Sequence, residues 1–429
     1  MLEWLKDYPA YAAGAGALIT FVLTILVLNV TGPEKCIKEP LRHLCKVRDP
    51  QFMREMGTLL GPPVLGGMKV EDFQNGDEIF PAMLSAIRGA RRTITFETFI
   101  YWSGDVGREF RDALVERARA GVKVHIMLDW VGSQKVSDKT VDMLREAGAE
   151  VEFYHPLKWY TLSRFNSRTH RKLLVIDGRI GFTGGVGVAD QWRGSAQDPA
   201  HWRDMHFRIE GPVVAHIQAA FMDNWITTSG RVLQGEEYFP AEHVAGEVSG
   251  QMFMSSPRGG GDSMQLMYLM SIAAAETSID LAAAYFVPDS LTRQSLIEAV
   301  QRGVTVRVIL PGKHIDEKTV RRASRADWGE LLEAGVEIHV FEPTMFHCKM
   351  LIVDGHLVSV GSTNFDNRSF RLNDEANLNV YDEEFARRMT GVFEGDLKRC
   401  RQMSLDEWRR RPWSERLMDK AASLVSSQL

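Results

Sequence analysis

Two stretches of the chain carry the same chemically active side chains at the same spacing. The first, RTHRKLLVIDGRIGFTGG, covers residues 168–185, and the second, FHCKMLIVDGHLVSVGSTNF, covers residues 346–365. Each holds a histidine, a lysine and an aspartate in fixed order: His170, Lys172 and Asp177 in the first, His347, Lys349 and Asp354 in the second. An imidazole beside an ammonium group suits proton transfer or nucleophilic attack close to negative charge.

The apolar residues between each lysine and aspartate predict a buried strand that positions these groups. Residues 173–176 and 350–353 are continuous apolar runs, and each closes with Asp-Gly, a signal for a hairpin turn. Because side chains alternate along a strand, the histidine and lysine of a pair share one face. The returning strand of the second hairpin is expected to bring Ser362 and Asn364 close to the second pair.

Such a face suits cleavage of a phosphodiester. That reaction needs a nucleophile, a proton donor for the departing alkoxide and positive charge around the phosphoryl oxygens. If each copy contributes its histidine to one site, one imidazole attacks phosphorus to give a phosphohistidine. The other then protonates the leaving group and deprotonates the incoming hydroxyl. The lysines supply the positive charge, so the sequence predicts no metal and no cofactor.

The sequence reads twice through one plan of secondary structure, which explains why the motif is duplicated. Strand-like runs at residues 94–100 and 122–128 are separated by a segment of helical periodicity, and residues 279–286 and 304–310 repeat the pattern. Alternating strands and helices predict α/β units with a mostly parallel sheet. We therefore expect two similar lobes related by an approximate twofold axis. Ser, Gly and Pro collect at residues 246–262, where the lobes should meet.

The amino terminus predicts a membrane anchor. Residues 8–33 contain no charged side chain, and roughly 20 apolar residues span a bilayer as one helix. A cleaved signal peptide is the alternative, which Glu3 and Asp7 disfavour because such peptides begin with a basic region. Basic residues are more numerous after the apolar segment than before it, which places the body of the protein in the cytoplasm. The predicted domains are residues 1–50 (a single transmembrane helix and a basic linker), 51–248 (first lobe) and 249–429 (second lobe).

The composition indicates a folded protein with no general attraction to nucleic acid. The 429 residues are 45% hydrophobic and carry a formal charge of −5, so any binding to anionic partners must come from local basic patches. Two segments combine cations with aromatic residues, namely residues 154–170, with Trp159, Tyr160 and Phe165, and residues 407–425. Both suit a lipid interface. The alternatives are a solvent-exposed loop and a helix that packs on the body with its arginines exposed.

Both motif copies resemble the HxKxxxxD signature of the phospholipase D superfamily, and residues 54–429 resemble the bacterial cardiolipin synthases. The second copy also matches the extended signature through Gly361, Ser362 and Asn364. The resemblance implies two phospholipase D-like α/β lobes with one shared site. It implies that His170 is the nucleophile and His347 the general acid and base.

The resemblance assigns supporting roles to four carboxylates. Glu375 is expected to orient His347 through its second ring nitrogen, and Asp204 to orient His170 in the same way. Asp177 and Asp354 are expected to be structural and to brace the two turns.

The first copy departs from the family pattern. Its Gly-Ser-x-Asn is replaced by residues 184–187, Gly-Gly-Val-Gly, so both polar side chains are missing. Backbone N–H groups of this turn are expected to substitute in binding phosphate, and strict symmetry of the site is in doubt.

Two further residues have alternative interpretations. Glu97 lies in a predicted strand, where it either lines the cleft or is solvated. Cys348 follows His347 and, by alternation, points to the opposite face, as a small core residue rather than a nucleophile.

The expected function is transfer of a phosphatidyl group between two phosphatidylglycerol molecules, which gives cardiolipin and glycerol at the bacterial inner membrane. A phospholipase D-type hydrolase differs only in using water as the acceptor. A nuclease is disfavoured, because the acidic chain lacks a basic, aromatic-lined track for single strands. A membrane scaffold with an inactive site is the alternative from another class, and a homo-oligomer is left open.

Overall fold

The computed structural model of the protein describes residues 9–30, 37–157, 166–256 and 263–424. The predicted interfacial residues Trp159, Tyr160 and Phe165 lie outside these ranges. The strands of the first half are β1 (Leu65–Gln74), β2 (Thr93–Thr98), β3 (Lys123–Asp129), β4 (Glu150–Tyr154), β5 (Leu173–Ile176), β6 (Ile180–Gly184) and β7 (Met205–Glu210). Those of the second half are β8 (Val248–Ser255), β9 (Ser278–Ala283), β10 (Phe286–Val287), β11 (Thr305–Pro311), β12 (Glu337–Phe341), β13 (Lys349–Val353), β14 (Leu357–Gly361), β15 (Phe365–Asp366), β16 (Glu375–Tyr381) and β17 (Cys400–Met403).

The helices mostly connect successive strands. In the first part of the chain they are α1 (Pro9–Val30), α2 (Pro50–Leu60), α3 (Asn75–Gly89), α4 (Asp105–Arg119), α5 (Asp138–Glu146) and α6 (Val214–Ser229), with a short 3-10 helix at Asp190–Trp192. In the second part they are α7 (Ser263–Ala274), α8 (Ser290–Gln301), α9 (Lys318–Ala326), α10 (Trp328–Ala334), α11 (Asn367–Arg371), α12 (Glu383–Leu397), α13 (Leu405–Arg409) and α14 (Trp413–Ser423).

Fifteen of the described strands form one continuous sheet. Its order is β17-β12-β11-β9-β13-β14-β16-β8-β1-β7-β6-β5-β2-β3-β4. Read outward from the central β8–β1 pair, the two halves follow the same sequence of strands, with β17 added at one edge. The predicted α/β class is confirmed, and the fold joins its two halves through backbone hydrogen bonds.

The prediction of a mostly parallel sheet was wrong. Within the large sheet, parallel pairing is confined in each half to three strands, β2, β3 and β4 or β9, β11 and β12, because consecutive strands of each set are linked through crossover helices. The remaining neighbours are antiparallel, starting with the hairpins β5–β6 and β13–β14. The Asp-Gly turns that the sequence shows therefore reverse the chain and give the rest of each half its antiparallel character.

The apolar runs 173–176 and 350–353 of the motif strands are explained by burial of both faces of the sheet. In β13, Leu351 and Val353 join a core cluster on one side of the sheet, while Met350 and Ile352 join a cluster on the other. The second cluster contains residues from both halves of the chain. The halves thus share hydrophobic core as well as sheet.

The segment that was expected to separate the lobes includes a central strand. Within residues 246–262, β8 pairs with both β1 and β16, and residues 257–262 lie outside the described ranges. Strand pairing on both sides shows that residues 248–255 are not a solvated linker.

The amino-terminal helix α1 covers most of the predicted anchor and exposes apolar side chains, including Leu18, Ile19 and Phe21. Within the described residues, however, no helix has both the length and the apolar character that crossing a membrane requires. The structure therefore does not support the predicted transmembrane helix.

Candidate active site

The two histidines lie where the halves of the chain meet. Each lies two or three residues before a motif strand. Each also donates its backbone N–H to a carbonyl of the other half: His170 to Asp374 at 2.9 Å and His347 to Arg203 at 2.8 Å. Short parallel bridges link the same segments, Thr169 with Asp374 and Arg203 with Phe346. The hairpins are thereby held against each other at their histidine ends.

The pairing of histidines with carboxylates is the reverse of the prediction. Nδ1 of His170 lies 3.0 Å from Oε1 of Glu375, and Nδ1 of His347 lies 2.7 Å from Oδ2 of Asp204. The family resemblance implied that each carboxylate orients the histidine of its own half. The bridges cross the interface, however, and they put Glu375, next to Asp374, beside His170 and Asp204, next to Arg203, beside His347. Each His–carboxylate pair therefore contains one residue from each half.

The carboxylates are buried and ionised. Burial opposes ionisation of Glu375, but His170, Lys172 and Ser362 more than offset that cost, so its pKa is lowered. Burial likewise opposes ionisation of Asp204, and the hydrogen bond from His347 together with the charge of Lys349 outweighs it, so the pKa of Asp204 is also lowered. An ionised carboxylate at Nδ1 fixes the proton there and leaves Nε2 as the reactive nitrogen.

Both imidazoles are poised in the neutral form. Burial lowers the pKa of His170 to about 4, and the neighbouring ammonium groups of Lys172 and Lys349 act in the same direction. Burial and Lys349 also lower the pKa of His347. A neutral ring has the lone pair that nucleophilic attack on phosphorus requires. Each histidine contacts a carboxylate of the other half, so both pairs lie at the interface between the halves.

The lysines lie beside the histidines, as the alternation predicts. Nζ of Lys172 donates to the backbone carbonyl of His170 at 2.6 Å, and Nζ of Lys349 donates to that of His347 at 2.8 Å. Lys349 is also 3.1 Å from Nε2 of His347. Burial lowers the pKa of Lys172 to about 7, and Lys349 contributes to that shift through charge repulsion. Two crowded ammonium groups form a site that favours a phosphate anion.

Ser362 and Trp192 perform equivalent tasks in the two halves. The hydroxyl of Ser362 donates to Oε2 of Glu375, so it serves the His170 pair and not, as expected, the second pair. In the other half Gly185 replaces the serine, and the indole Nε1 of Trp192 donates to Oδ2 of Asp204 at 2.9 Å. A Cβ at Gly185 would lie 2.2 Å from Oδ1 of Asp204. The glycine thus leaves room for a carboxylate that the indole holds.

The sequence reasoning missed Trp192 because its hydrogen bond spans a loop that carries no motif. Aromatic rings also flank the histidines: Trp192 and Trp202 lie 5.4 and 5.3 Å from His347, and Phe99 lies 5.3 Å from His170, measured between ring centroids. In the sequence, the only feature that points to these aromatic rings around the histidines is the presence of tryptophans after a motif strand. The rings exclude water and so strengthen the charged contacts.

Three further residues that were discussed from the sequence are all buried. Asn364 is buried, and its side-chain oxygen has no hydrogen-bond partner within the described part of the chain, which leaves it available to a substrate. Glu97 is also fully buried, so its solvated interpretation was wrong; it accepts hydrogen bonds from Thr169 and Asn224. Cys348 is a core residue, as expected.

Asp177 and Asp354 lie at the two hairpin turns, where the resemblance predicts a structural role. Both have positive φ, 53° and 51°, at the hairpin turns, far along the strand from the histidines. The carboxylate of Asp177 accepts the backbone N–H groups of Arg91, Arg92 and Thr93 at 2.7–2.9 Å. That of Asp354 accepts those of residues 276–278 in the same way. Each aspartate therefore ties its turn to the start of the neighbouring strand.

Buried arginines fasten the site to both halves. Arg203 forms a bidentate pair with Asp396 of α12 at 2.9–3.1 Å, and Arg171 donates to the carbonyls of Ala220 and Ser255.

Within the described residues, no group of three or more His, Cys, Asp or Glu side chains is arranged to hold a metal ion.

Comparison with known proteins identifies the family. A family model described as "Cardiolipin synthase, PLD-like domain" matches residues 83–225 and 268–397. Cardiolipin synthase 2 of Bacillus anthracis is 35% identical over 358 residues, which cover 83% of this chain and 70% of that protein. Cardiolipin synthase A of Pseudomonas fluorescens is 32% identical over 375 residues, which cover 87% of this chain and 78% of that protein.

A solved structure supports the fold independently. The crystal structure of phosphatidylserine synthase from Haemophilus influenzae superimposes with a TM-score of 0.66 at 13% identity, over 88% of this chain and 100% of that chain, a likeness of fold alone. The two segments matched by the family model contain both histidine–lysine pairs and both orienting carboxylates. The chain therefore belongs to the cardiolipin synthase family of proteins with phospholipase D-like domains.

Proposed function

We propose that the protein is a phosphatidyltransferase that makes cardiolipin and glycerol from two molecules of phosphatidylglycerol. The observation that carries the proposal is the pair of crossed His–carboxylate contacts, His170 with Glu375 and His347 with Asp204. Two oriented imidazoles and two ammonium groups at one site supply what a double displacement at phosphorus needs. The names of the similar proteins support the same substrate class.

In the first half-reaction, Nε2 of His170 attacks phosphorus and the bond to the glycerol headgroup oxygen breaks. No described residue engages this nitrogen, whereas Nε2 of His347 is in contact with Lys349, which favours His170 as the nucleophile. A proton on His347 passes to the departing glycerol oxygen. Because the resting His347 is neutral, the proton has to be gained when the phosphate anion enters and raises its pKa. The products are a phosphatidyl-histidine and free glycerol.

In the second half-reaction, the neutral His347 removes the proton from a terminal hydroxyl of another phosphatidylglycerol. The alkoxide oxygen attacks phosphorus, the P–N bond to His170 breaks, and cardiolipin leaves. Lys172 and Lys349 stabilise the charge on the phosphoryl oxygens in both steps. Asp204 and Glu375 stay ionised and stabilise the imidazolium forms.

The test is to incubate the purified full-length protein with phosphatidylglycerol vesicles and to separate the lipids and glycerol. We expect cardiolipin and glycerol in equal amounts, and their loss in His170→Ala and His347→Ala. His243→Ala, a half-buried histidine outside the site, is the matched control and should behave as wild type. Phosphatidic acid as the main product would indicate hydrolysis instead, and absence of turnover by wild type would favour a scaffold.

We further propose that the body works on the cytoplasmic side of the bacterial inner membrane, retained there by the apolar segment that contains α1. The support is the exposed apolar surface of α1 and the excess of basic residues after it. Tethering raises the rate at which the site meets substrates that stay in the bilayer. Full-length protein should remain in membranes after alkaline carbonate extraction, and Phe21→Arg should release it. Release of the wild type would contradict the proposal.

A further inference from the structure

In the last described helix, α14, the usual placement of side chains is reversed: a charged residue is buried and apolar residues are exposed. Its buried residue is an aspartate, Asp419, which is 1% exposed and pairs with Arg325 and Arg411. Glu415, one turn earlier, pairs with Arg325 at 2.9 Å. A helix that packs on a soluble body normally buries its apolar stripe and exposes its charges. Here ion pairs fasten the helix, which frees its apolar side chains for another role.

The apolar residues of α14 form an exposed stripe that continues to the residue following the helix. Trp413, Leu417 and Leu424 are 77%, 60% and 81% exposed, and their spacing of four and seven residues puts them on one side of the helix. Arg416 and Lys420, also exposed, border the stripe, and neither has an acidic partner within the described residues. Tryptophan with leucines, flanked by cations, is the composition of a helix that lies in a lipid interface.

A second feature next to α14 carries positive charge. Five arginines line the groove at the start of the helix, against three carboxylates (Asp406, Glu407 and Glu415), so its charge is positive on balance: Arg321, Arg325, Arg401, Arg410 and Arg411. Arg321 and Arg410 form no ion pair with any described carboxylate. Free guanidinium groups in a groove match the phosphates of anionic lipid headgroups. The same charge would repel a second copy of this surface, so self-association through it is disfavoured.

Packed side chains connect α14 to the active site. Trp202 packs on the ring of His347 and also on the small cluster of Ala284, Ile315 and Met345, which Tyr285 contacts as well. Tyr285 in turn packs with Ala422 of α14 against the cluster of Val287, Val320 and Ala323. Contacts therefore run without a break from the catalytic histidine to the buried side of α14.

We propose that α14 docks the protein onto an anionic phospholipid surface, with Trp413, Leu417 and Leu424 inserted among the lipids and the arginine groove against their phosphates. The docking proposal depends on the proposed function only in its explanation of why docking is useful. The surface itself is argued from the exposed stripe and the unpaired arginines.

The experiment compares full-length wild type, Leu417→Glu and the control Leu59→Glu, whose leucine is 58% exposed on α2. Activity is measured on phosphatidylglycerol vesicles and on a short-chain phosphatidylglycerol below its critical micelle concentration. We expect Leu417→Glu to raise the apparent KM for vesicles about tenfold or more, since it removes the burial of a leucine in lipid. Activity on the monomeric substrate, and all activities of Leu59→Glu, should stay as in wild type. An unchanged apparent KM for vesicles would overturn the proposal.

A second measurement does not depend on catalysis. Quenching of tryptophan fluorescence by vesicles of brominated phosphatidylglycerol is compared between wild type and Trp413→Phe, which keeps the apolar contact. Quenching that is weaker in Trp413→Phe than in wild type supports insertion, even if neither substrate is turned over. Equal quenching in both proteins would overturn the proposal. So would loss of an oligomer in Leu417→Glu, because the stripe would then be a contact between copies of the chain.

Discussion

At the scale of single residues, the site is symmetric in function but not in composition. Each orienting carboxylate accepts one hydrogen bond from its histidine and one from a further side-chain donor. The donor is the hydroxyl of Ser362 for Glu375 and the indole of Trp192 for Asp204. Loss of the family's serine at Gly185 therefore does not leave Asp204 short of a donor. The donor is Trp192, whose 3-10 turn stands beside this carboxylate.

We expect Trp192→Phe to lower kcat for cardiolipin formation about tenfold and to leave KM unchanged. The change removes a hydrogen bond to a buried carboxylate, which is worth roughly 1.5–3 kcal/mol, and so loosens the proton-transfer geometry of His347. Trp102→Phe removes the indole hydrogen bond to Gly132, outside the site, and should leave kcat as in wild type. Equal kcat values for Trp192→Phe and wild type would show that Trp192 only fills space.

The pKa values predict a pH optimum for kcat/KM. As pH rises through about 4, His170 loses its proton and becomes nucleophilic, so the rate constant increases. As pH rises through about 7, Lys172 loses its charge and the phosphoryl oxygens lose a stabilising partner, so the rate constant decreases. The profile should be bell-shaped between these values.

Lys172→Arg tests the assignment of the alkaline limb, because guanidinium stays charged throughout this range. We expect the variant to be slower but to lose the decrease above about pH 7. The exposed Lys123→Arg serves as control and should keep it. An alkaline limb that persists in Lys172→Arg would show that another group, such as His347, causes it.

At the scale of elements, the sequence predicted what is local and missed what crosses the interface. The apolar runs, the Asp-Gly turns and the alternation of histidine and lysine all depend on neighbours in sequence, and the structure has them as expected. The partner of each histidine depends on how two distant segments pair. Only the bridge between Arg203 and Phe346, 143 residues apart in sequence, places Asp204 at His347.

The two turn aspartates offer a test of a purely structural role. Asp177→Asn keeps a side chain that tolerates positive φ but replaces one acceptor oxygen by an amide donor that faces a backbone N–H. We expect a loss of about 1–3 kcal/mol in the free energy of unfolding, measured by urea denaturation, with kcat changed little. Asp354→Asn should act alike in the second half. A large fall in kcat at unchanged stability would contradict the structural role.

At the scale of the whole molecule, the two halves form one folded unit, and neither half contains a complete site by itself. The continuous sheet, the shared core and the buried arginines Arg171 and Arg203 all cross the interface. Each half provides one histidine and the carboxylate that orients the other histidine. A sequence read as two independent lobes cannot reveal this exchange, since each lobe taken alone contains both kinds of residue.

This exchange predicts that both histidines must be in the same chain. Co-expressed His170→Ala and His347→Ala proteins should form no cardiolipin, because every molecule closes its own sheet through β1 and β8 and lacks one imidazole. The measurement is cardiolipin formation by the co-purified mixture, with a mixture of wild type and His170→Ala as the positive control. Activity regained by the two variants together would mean that halves of different chains pair, which the intramolecular pairing of β1 with β8 argues against.

The double variant Trp192→Phe/Ser362→Ala, which keeps both histidines, separates loss of an imidazole from loss of its orientation. In the same assay, residual cardiolipin is expected from the double variant and none from the mixture of histidine variants.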